Sequence, residues 1–337
     1  MVLSFRSILI TAAAACFLAP CASASGIDAI YAFGDSLTDV GNIYAATGGA
    51  IPAPPYANGQ FSNGPVWVQD LAAGLGLPAL TPSLLGGTDY AYGSGETAPE
   101  SFNISNVATD ILGPTGQLAQ YQKFLTLTST SVDPNALYTI WIGANDLADI
   151  AATDPTHAAT DVATVVGNID ATVNALALMG AKNFLVLTVP DLGTTPLAAT
   201  EGAQAELSAL SAGLDTTLVN GSAGAGLPSL AALAGADGIN LQVLNTYALL
   251  DSILLSPSTY GFTDVTDSCL VGSTPCANPG QYLFWDDQHP TAAGHAIVGD
   301  AALALVTPEP GSITLIGAGL LGLVVIARRR IIPTGIR

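Results

Sequence analysis

Four residue types in this chain have the chemistry for acyl transfer, and they stand where a fold can bring them together. Ser36, in "YAFGDSLTDVGN", follows an apolar run and is preceded by Asp35. A serine hydroxyl is a weak nucleophile until a base takes its proton and a carboxylate orients that base. Three histidines are available. His289, in "FWDDQHPTAAGH", has Asp286 three positions before it and Pro290 after it. The proline biases His289 away from helix, which suits an imidazole presented from a loop. Asp286 can fold back on the ring's Nδ1–H and hold its tautomer. His157, in "DPTHAAT", lacks such neighbours and reads as a surface helix residue. His295 falls in the next helix and reads as a packing or hydrogen-bonding residue. Alone, Ser36 reads as a helix cap far sooner than as a nucleophile; its set of partners favours the nucleophile.

A developing oxyanion needs donors, each worth roughly 2.7–4 kcal/mol in the transition state. Asn145, in "WIGAND", offers a side-chain amide, and Gly143 lets the backbone turn before it. Asn-Asp pairs are also common turn formers. Gly93, in "TDYAYGSGET", has no Cβ to keep its N–H from a substrate.

These residues need a scaffold that brings distant segments to one edge. The runs "IDAIYAF" (27–33), "LYTIWI" (137–142) and "NFLVLTV" (183–189) are nearly continuous and apolar, as buried parallel strands are. "INLQVLN" (239–245) is a fourth candidate. Helical periodicity marks 66–75, 117–127, 161–179, 204–218 and 292–305; in 161–179, apolar residues from Val162 to Met179 recur at threes and fours. The Gly/Ala/Ser-rich stretch 220–238 reads as a loop or insertion. Such alternation predicts an α/β fold with a mostly parallel sheet covered on both faces. Parallel sheets gather reactive groups at the carboxyl ends of their strands, and "GDSLTD", "GANDL" and "VPDLGTTP" lie at such ends.

The 26 acidic residues all lie from Asp28 to Glu309, where the only basic residues are Lys123 and Lys182, a balance of −24 against −19 for the whole chain. That surface repels a phosphate backbone, so nucleic acid is excluded as a partner. Residues 1–24 read as a secretory signal peptide, with Arg6, an apolar stretch from Ile8 to Ala19 and the small-residue pattern Ala22-Ser23-Ala24. Pro20 before Cys21 argues against a lipoprotein signal. In an exported chain the remaining pair, Cys269 and Cys276 in "CLVGSTPC", is most simply a local disulfide; a metal site would want more ligands. Ser312 to Ala327 is apolar and is followed at once by Arg328, Arg329 and Arg330. That run spans roughly 24 Å as a helix, a little less than a hydrocarbon core of about 30 Å, and the positive-inside rule leaves the preceding domain (25–307) outside.

Four segments in order, "FGDSLTDVGN", "YAYGSG", "WIGAND" and "FWDDQHPT", resemble the signature blocks of the GDSL lipase/esterase family, the SGNH hydrolases. The resemblance spans about Ala29 to Leu305. It implies a three-layer α/β/α sandwich with a mostly parallel five-stranded, flavodoxin-like sheet. Ser36 would be the nucleophile, His289 the base and Asp286 its orienting acid, with oxyanion donors from Ser36 N–H, Gly93 N–H and the Asn145 side chain. Asp35, Asp39, Asn42 and Gly143 would stand behind these groups and steady the turns that carry them. No cofactor or metal is required. One departure stands out: similar enzymes show Asn-aromatic-Ala-x-Gly-Gly-Ala in the second block, whereas here Asp89 replaces the asparagine and Ser94 and Gly95 follow Gly93. The segments look closest to the lecithinase/haemolysin-like branch, which implies lipid or phospholipid acyl esters. Removal of acetyl groups from extracellular polysaccharide, or a non-catalytic matrix or adhesion role, are the alternatives. Residues 308–337, with Pro308-Glu309-Pro310, an apolar helix (about 312–327) and the arginines, resemble a PEP-CTERM sorting signal. That implies recognition by an exosortase-type enzyme, transient anchoring in the inner membrane and delivery to the envelope or matrix of a Gram-negative bacterium.

Overall fold

The computed structural model of the chain describes residues 26–98, 113–153 and 157–307. Ile27–Val306 forms one unit. The expected signal peptide and C-terminal sorting helix lie outside the described residues.

Four strands, β1 (Ile30–Gly34), β2 (Leu137–Trp141), β3 (Asn183–Leu187) and β4 (Asn240–Leu244), pair in parallel in that order. Side chains alternate between the two faces, as the strand period requires. Phe33, Tyr138, Ile140, Phe184 and Val186 enter one core, while Ile30, Ala32, Leu137, Leu185 and Leu187 enter the other.

The expected fifth strand is a correction. Its place beside β1 is taken by an irregular segment, in which Ala32 N–H donates to Thr88 O (3.0 Å), Tyr90 N–H to Ala32 O (2.7 Å) and Tyr92 N–H to Gly34 O (3.2 Å). Only an isolated parallel bridge, Ala32 to Asp89, is formed. Gln117 explains the irregularity: its Oε1 accepts from Gly34 N–H at 2.8 Å, and that N–H has the parity of Ala32 N–H and would otherwise continue the ladder. With this segment counted, the order is 2-1-3-4-5, the flavodoxin-like arrangement, whose crevice lies beside the first strand where the order reverses.

Helices α1 (Asn42–Ala46), α2 (Trp67–Gly74), α3 (Gly113–Thr128), α4 (Ala144–Thr153), α5 (Ala158–Met179), α6 (Pro196–Glu201), α7 (Gln204–Asn220), α8 (Leu230–Asp237), α9 (Thr246–Leu255) and α10 (Ala292–Val306) complete the described layers. α3, α4, α5, α7 and α8 bury their apolar faces in the first core; α2 and α10 pack in the second. Val162, Val165, Val166, Ile169, Val173 and Leu176 are buried along α5, the stripe its periodicity predicts. α5 is also the one helix among the described residues long and apolar enough to cross a membrane, but that face is core.

The stretch expected to be a loop, 220–238, contains α8. Ser229 caps it by accepting from Ala232 N–H at 3.1 Å, and Gly238 ends it in the left-handed conformation. Between those stops, Leu and Ala favour helix strongly enough to outweigh the surrounding glycines.

Candidate active site

The turn after β1 carries Ser36. Asp35 organises it: its carbonyl accepts from Thr38 and Asp39 N–H (both 3.0 Å), and its Oδ1 accepts from Leu37 N–H (2.9 Å). The capping role is thus taken by Asp35, and the Ser36 hydroxyl is left to bond elsewhere. It lies 2.8 Å from His289 Nε2. On the other side of the ring, Nδ1 lies 2.7 Å from Asp286 Oδ2. Asp286 Oδ1 accepts from the backbone N–H of Gln288 (2.9 Å) and His289 (2.7 Å). Its Oδ2 accepts a further bond from Tyr56 Oη at 2.7 Å. Burial alone would raise the Asp286 carboxyl, but His289 and the donors around it outweigh that and hold it at about 2. It is therefore ionised at any ordinary pH, and Nδ1 of His289 is held as the donor. That leaves Nε2 free to accept the Ser36 proton.

Asn145 stands in the first turn of α4, which begins directly after Gly143. Gly143 has φ +117°, a conformation that L side chains rarely adopt. The Asn145 Nδ2 donates one bond to Gly95 O at 2.9 Å, which fixes the amide and leaves its second hydrogen free. Ser36 N–H has no acceptor among the described residues. These two donors can meet an oxyanion formed at Ser36.

Gly93 is a correction. Its N–H donates to Asp39 Oδ2 at 2.9 Å, so it is spent inside the protein. Asp39 also accepts from Gly41 (2.7 Å), Asn42 (2.5 Å) and Ile43 (3.2 Å) N–H. Its carboxylate thereby ties the start of α1 to the second block. A Cβ at position 93 would lie 2.4 Å from the Phe61 ring, so a side chain there would have to displace that ring. The next residue, Ser94, is exposed and has φ +59°, left-handed where similar enzymes carry glycine.

Asn42 joins the same girdle. Its Nδ2 donates to the carbonyls of Asp89 and Ala91 (both 2.8 Å), and its Oδ1 accepts from Leu84 N–H and Ser83 Oγ (both 3.1 Å). Asp89, buried and facing Asp39, is pushed well up by burial and by its neighbour's charge. Asp39 is raised by burial to about 6, and its four N–H donors limit that rise. Asp35 is raised to about 7, mainly by burial, and its Oδ2 has no partner among the described residues.

Two contributors carry no sequence signal. Tyr56 meets Asp286 across 230 positions. Gln117 holds the last residue of β1 like a strand: Gly34 N–H donates to its Oε1 (2.8 Å) and its Nε2 donates to Gly34 O (2.7 Å). Elsewhere, His295 is buried in α10 and pushed down to about 3, chiefly by burial, so it stays neutral. His157 is exposed at the N-terminus of α5. Cys269 and Cys276 are bonded, with Cα atoms 4.8 Å apart. Their hairpin is laced to the segment leading into Asp286 by Cys269 N–H to Phe284 O (3.1 Å) and Leu270 N–H to Trp285 O (2.6 Å).

Beside Ser36, His289 and Asn145 opens a cavity of about 110 Å³. It runs across the carboxyl ends of the strands, and its lining is mostly apolar, including Trp141, Leu192, Leu207, Leu250, Ile253 and Phe284.

A serine, a histidine and an aspartate in one hydrogen-bonded row, at the crevice of a three-layer α/β/α sheet, are the equipment of a carboxylic ester hydrolase. The chain belongs to the GDSL-like lipase/acylhydrolase family, whose profile matches residues 30–302. Residues 306–330 match the PEP-CTERM protein-sorting motif. Over 294 residues the chain is 28% identical to the thermolabile hemolysin of Vibrio parahaemolyticus, covering 82% of this chain and 63% of that one, less than two thirds of its length. Over 328 residues it is 26% identical to a phosphatidylcholine-sterol acyltransferase of Aeromonas hydrophila, covering 83% and 90%. Among solved structures, an acetylxylan esterase from Geobacillus stearothermophilus aligns at a TM-score of 0.43 with 14% identity, covering 84% of this chain and 95% of that one.

Proposed function

We propose that this chain is an exported serine hydrolase of fatty-acyl esters, acting through an acyl-enzyme on Ser36. His289 Nε2 takes the Ser36 proton as Oγ attacks the ester carbonyl. The oxyanion is met by Ser36 N–H and Asn145 Nδ2, and Asp286 stabilises the imidazolium. His289 returns the proton to the leaving alcohol. Water, deprotonated by the same nitrogen, then releases the fatty acid and restores the serine. The PEP-CTERM motif supports export in a Gram-negative bacterium, with processing by an exosortase-type enzyme and anchoring by the C-terminal segment until then.

The observation that carries the acyl reading is the apolar cavity beside Ser36, which suits a hydrocarbon tail better than an acetyl group on a sugar. The name of the phosphatidylcholine-sterol acyltransferase points the same way. Each buried methylene is worth about 0.8 kcal/mol, about fourfold in kcat/KM. With the full chain and p-nitrophenyl esters, kcat/KM is expected to climb at about that rate from acetate until the cavity is filled, and to collapse for every ester in Ser36→Ala. A series led by acetate would contradict the acyl reading and favour the polysaccharide acetylesterase.

A further inference from the structure

The segment from Tyr56 to Asn63 runs beside the loop from Asp286 to Ala292 and is joined to it at four places. Tyr56 Oη donates to Asp286 Oδ2 at 2.7 Å. The Phe61 ring lies against the His289 ring, with centroids 5.4 Å apart and planes at 34°. Ser62 Oγ donates to Pro290 O at 2.9 Å, and Ala292 N–H donates to Asn63 Oδ1 at 2.7 Å. The contacts follow the same order along both segments, so the strap bears on where the Asp286–His289 pair stands relative to Ser36.

Within the strap, Tyr56 is the only side chain that touches the carboxylate, and it shares Oδ2 with His289 Nδ1. Its ring is fixed edge-on to Trp285 (6.2 Å, 84°) and to Phe61 (6.4 Å, 67°). Its hydroxyl is pushed up by burial and by Asp286, so it remains a donor. We propose that Tyr56 is a positioning residue that locks the Asp286 carboxylate in the plane of the His289 ring and shares its negative charge. The proposal rests on the reading of Asp286 and His289 as orienting acid and base. Without the hydroxyl, Oδ2 has only the imidazole as partner. The carboxylate is freer to turn, and its whole charge falls on His289.

Other charged or titratable groups also act on His289: Asp35 from the turn after β1, Asp287 from its own loop and His295 from α10. The test therefore changes the Tyr56 hydroxyl alone. In the full-length chain with ¹³C-labelled histidine, the ring signal of His289, identified by its loss in His289→Gln, is titrated in wild type, Tyr56→Phe and Ser62→Ala. Tyr56→Phe keeps the ring packing. It is expected to raise the His289 midpoint by about 0.5–1 pH unit, a fraction of what a hydrogen bond to a charged group is worth. It should also lower kcat roughly tenfold through misorientation, with KM within about twofold of wild type. Ser62→Ala, which loosens the strap without touching the carboxylate, should leave the midpoint in place. A fixed midpoint in Tyr56→Phe would overturn the proposal, whether or not kcat falls. So would a shift that Ser62→Ala reproduces. Because this titration does not require Ser36 to react, residual hydrolysis by Ser36→Ala would instead count against the nucleophile reading alone.

Discussion

Replacing Asp286 by asparagine changes one atom of the relay, and the local geometry dictates which way the new amide must face. Two backbone donors, Gln288 N–H at 2.9 Å and His289 N–H at 2.7 Å, point at Oδ1. The amide oxygen must occupy that place, because an NH2 group there would confront two N–H groups. The NH2 group then falls where Oδ2 was, facing His289 Nδ1 at about the former 2.7 Å. Nδ1 becomes an acceptor, the ring proton moves to Nε2, and Nε2 can no longer take the proton of Ser36. Tyr56 is not a barrier to this orientation, because its hydroxyl can turn from donor to acceptor. A wrong tautomer in a serine hydrolase costs roughly 10³–10⁴ in kcat, or about 4–5.5 kcal/mol of transition-state stabilisation. KM should stay within about threefold of wild type, because no substrate contact is touched. The assay is steady-state hydrolysis of a p-nitrophenyl ester near pH 8, with circular dichroism to show that the variant is folded. A folded Asp286→Asn enzyme within tenfold of wild-type kcat would refute this account of the relay.

Stability should depend on pH in a direction set by the buried acids. Asp35 and Asp215 are raised to about 7, and Asp39 and Asp170 to about 6, burial being the main cause in each. The folded chain keeps these protons where the unfolded chain, near pH 4, has lost them. Their stabilising effect is full below about pH 4 and is lost as pH rises through 6 to 7. Asp286, held at about 2, acts oppositely and withdraws its contribution as pH falls from about 4 towards 2. The melting temperature, followed by circular dichroism, is therefore expected to peak at mildly acid pH and to decline steadily towards pH 8; a value that rises over that range would contradict this. Both carboxylate oxygens of Asp170 are buried without a partner among the described residues, so Asp170→Asn should raise Tm at pH 8 by about 2–4 °C and much less at pH 4. An equal gain at both pH values would mean that ionisation is not the cause.

The row Ser36–His289–Asp286 is legible in the sequence because each member closes or follows a recognisable strand-end segment, and a parallel sheet brings such ends together. Asn145 is legible for the same reason. The layers follow from apolar runs and helical periodicity, since burial on both faces leaves a strong signature in composition. What is hidden depends on who bonds to whom across the fold. Gly93 looks like an available donor until Asp39, 54 positions away, is found to hold its N–H. The fifth strand loses its regularity to the side chain of Gln117, which takes the Gly34 N–H, a competition that apolar patterning does not register. α8 lies in a glycine-rich stretch, where composition argues for a loop while the local caps favour a helix. Tyr56 and Gln117 are an ordinary tyrosine and an ordinary glutamine in sequence, and only the folded chain gives them Asp286 and Gly34 as partners.

The central claim is that Ser36 is the nucleophile, activated by His289 at 2.8 Å. It is tested most directly by treating the full-length protein with a fluorophosphonate and locating the adduct by mass spectrometry of its peptides. The account predicts a single covalent phosphonyl group, on Ser36, formed at a rate that falls roughly 10³-fold or more in His289→Gln. Labelling of another serine, or equal labelling of Ser36 in the presence and absence of the His289 imidazole, would contradict it.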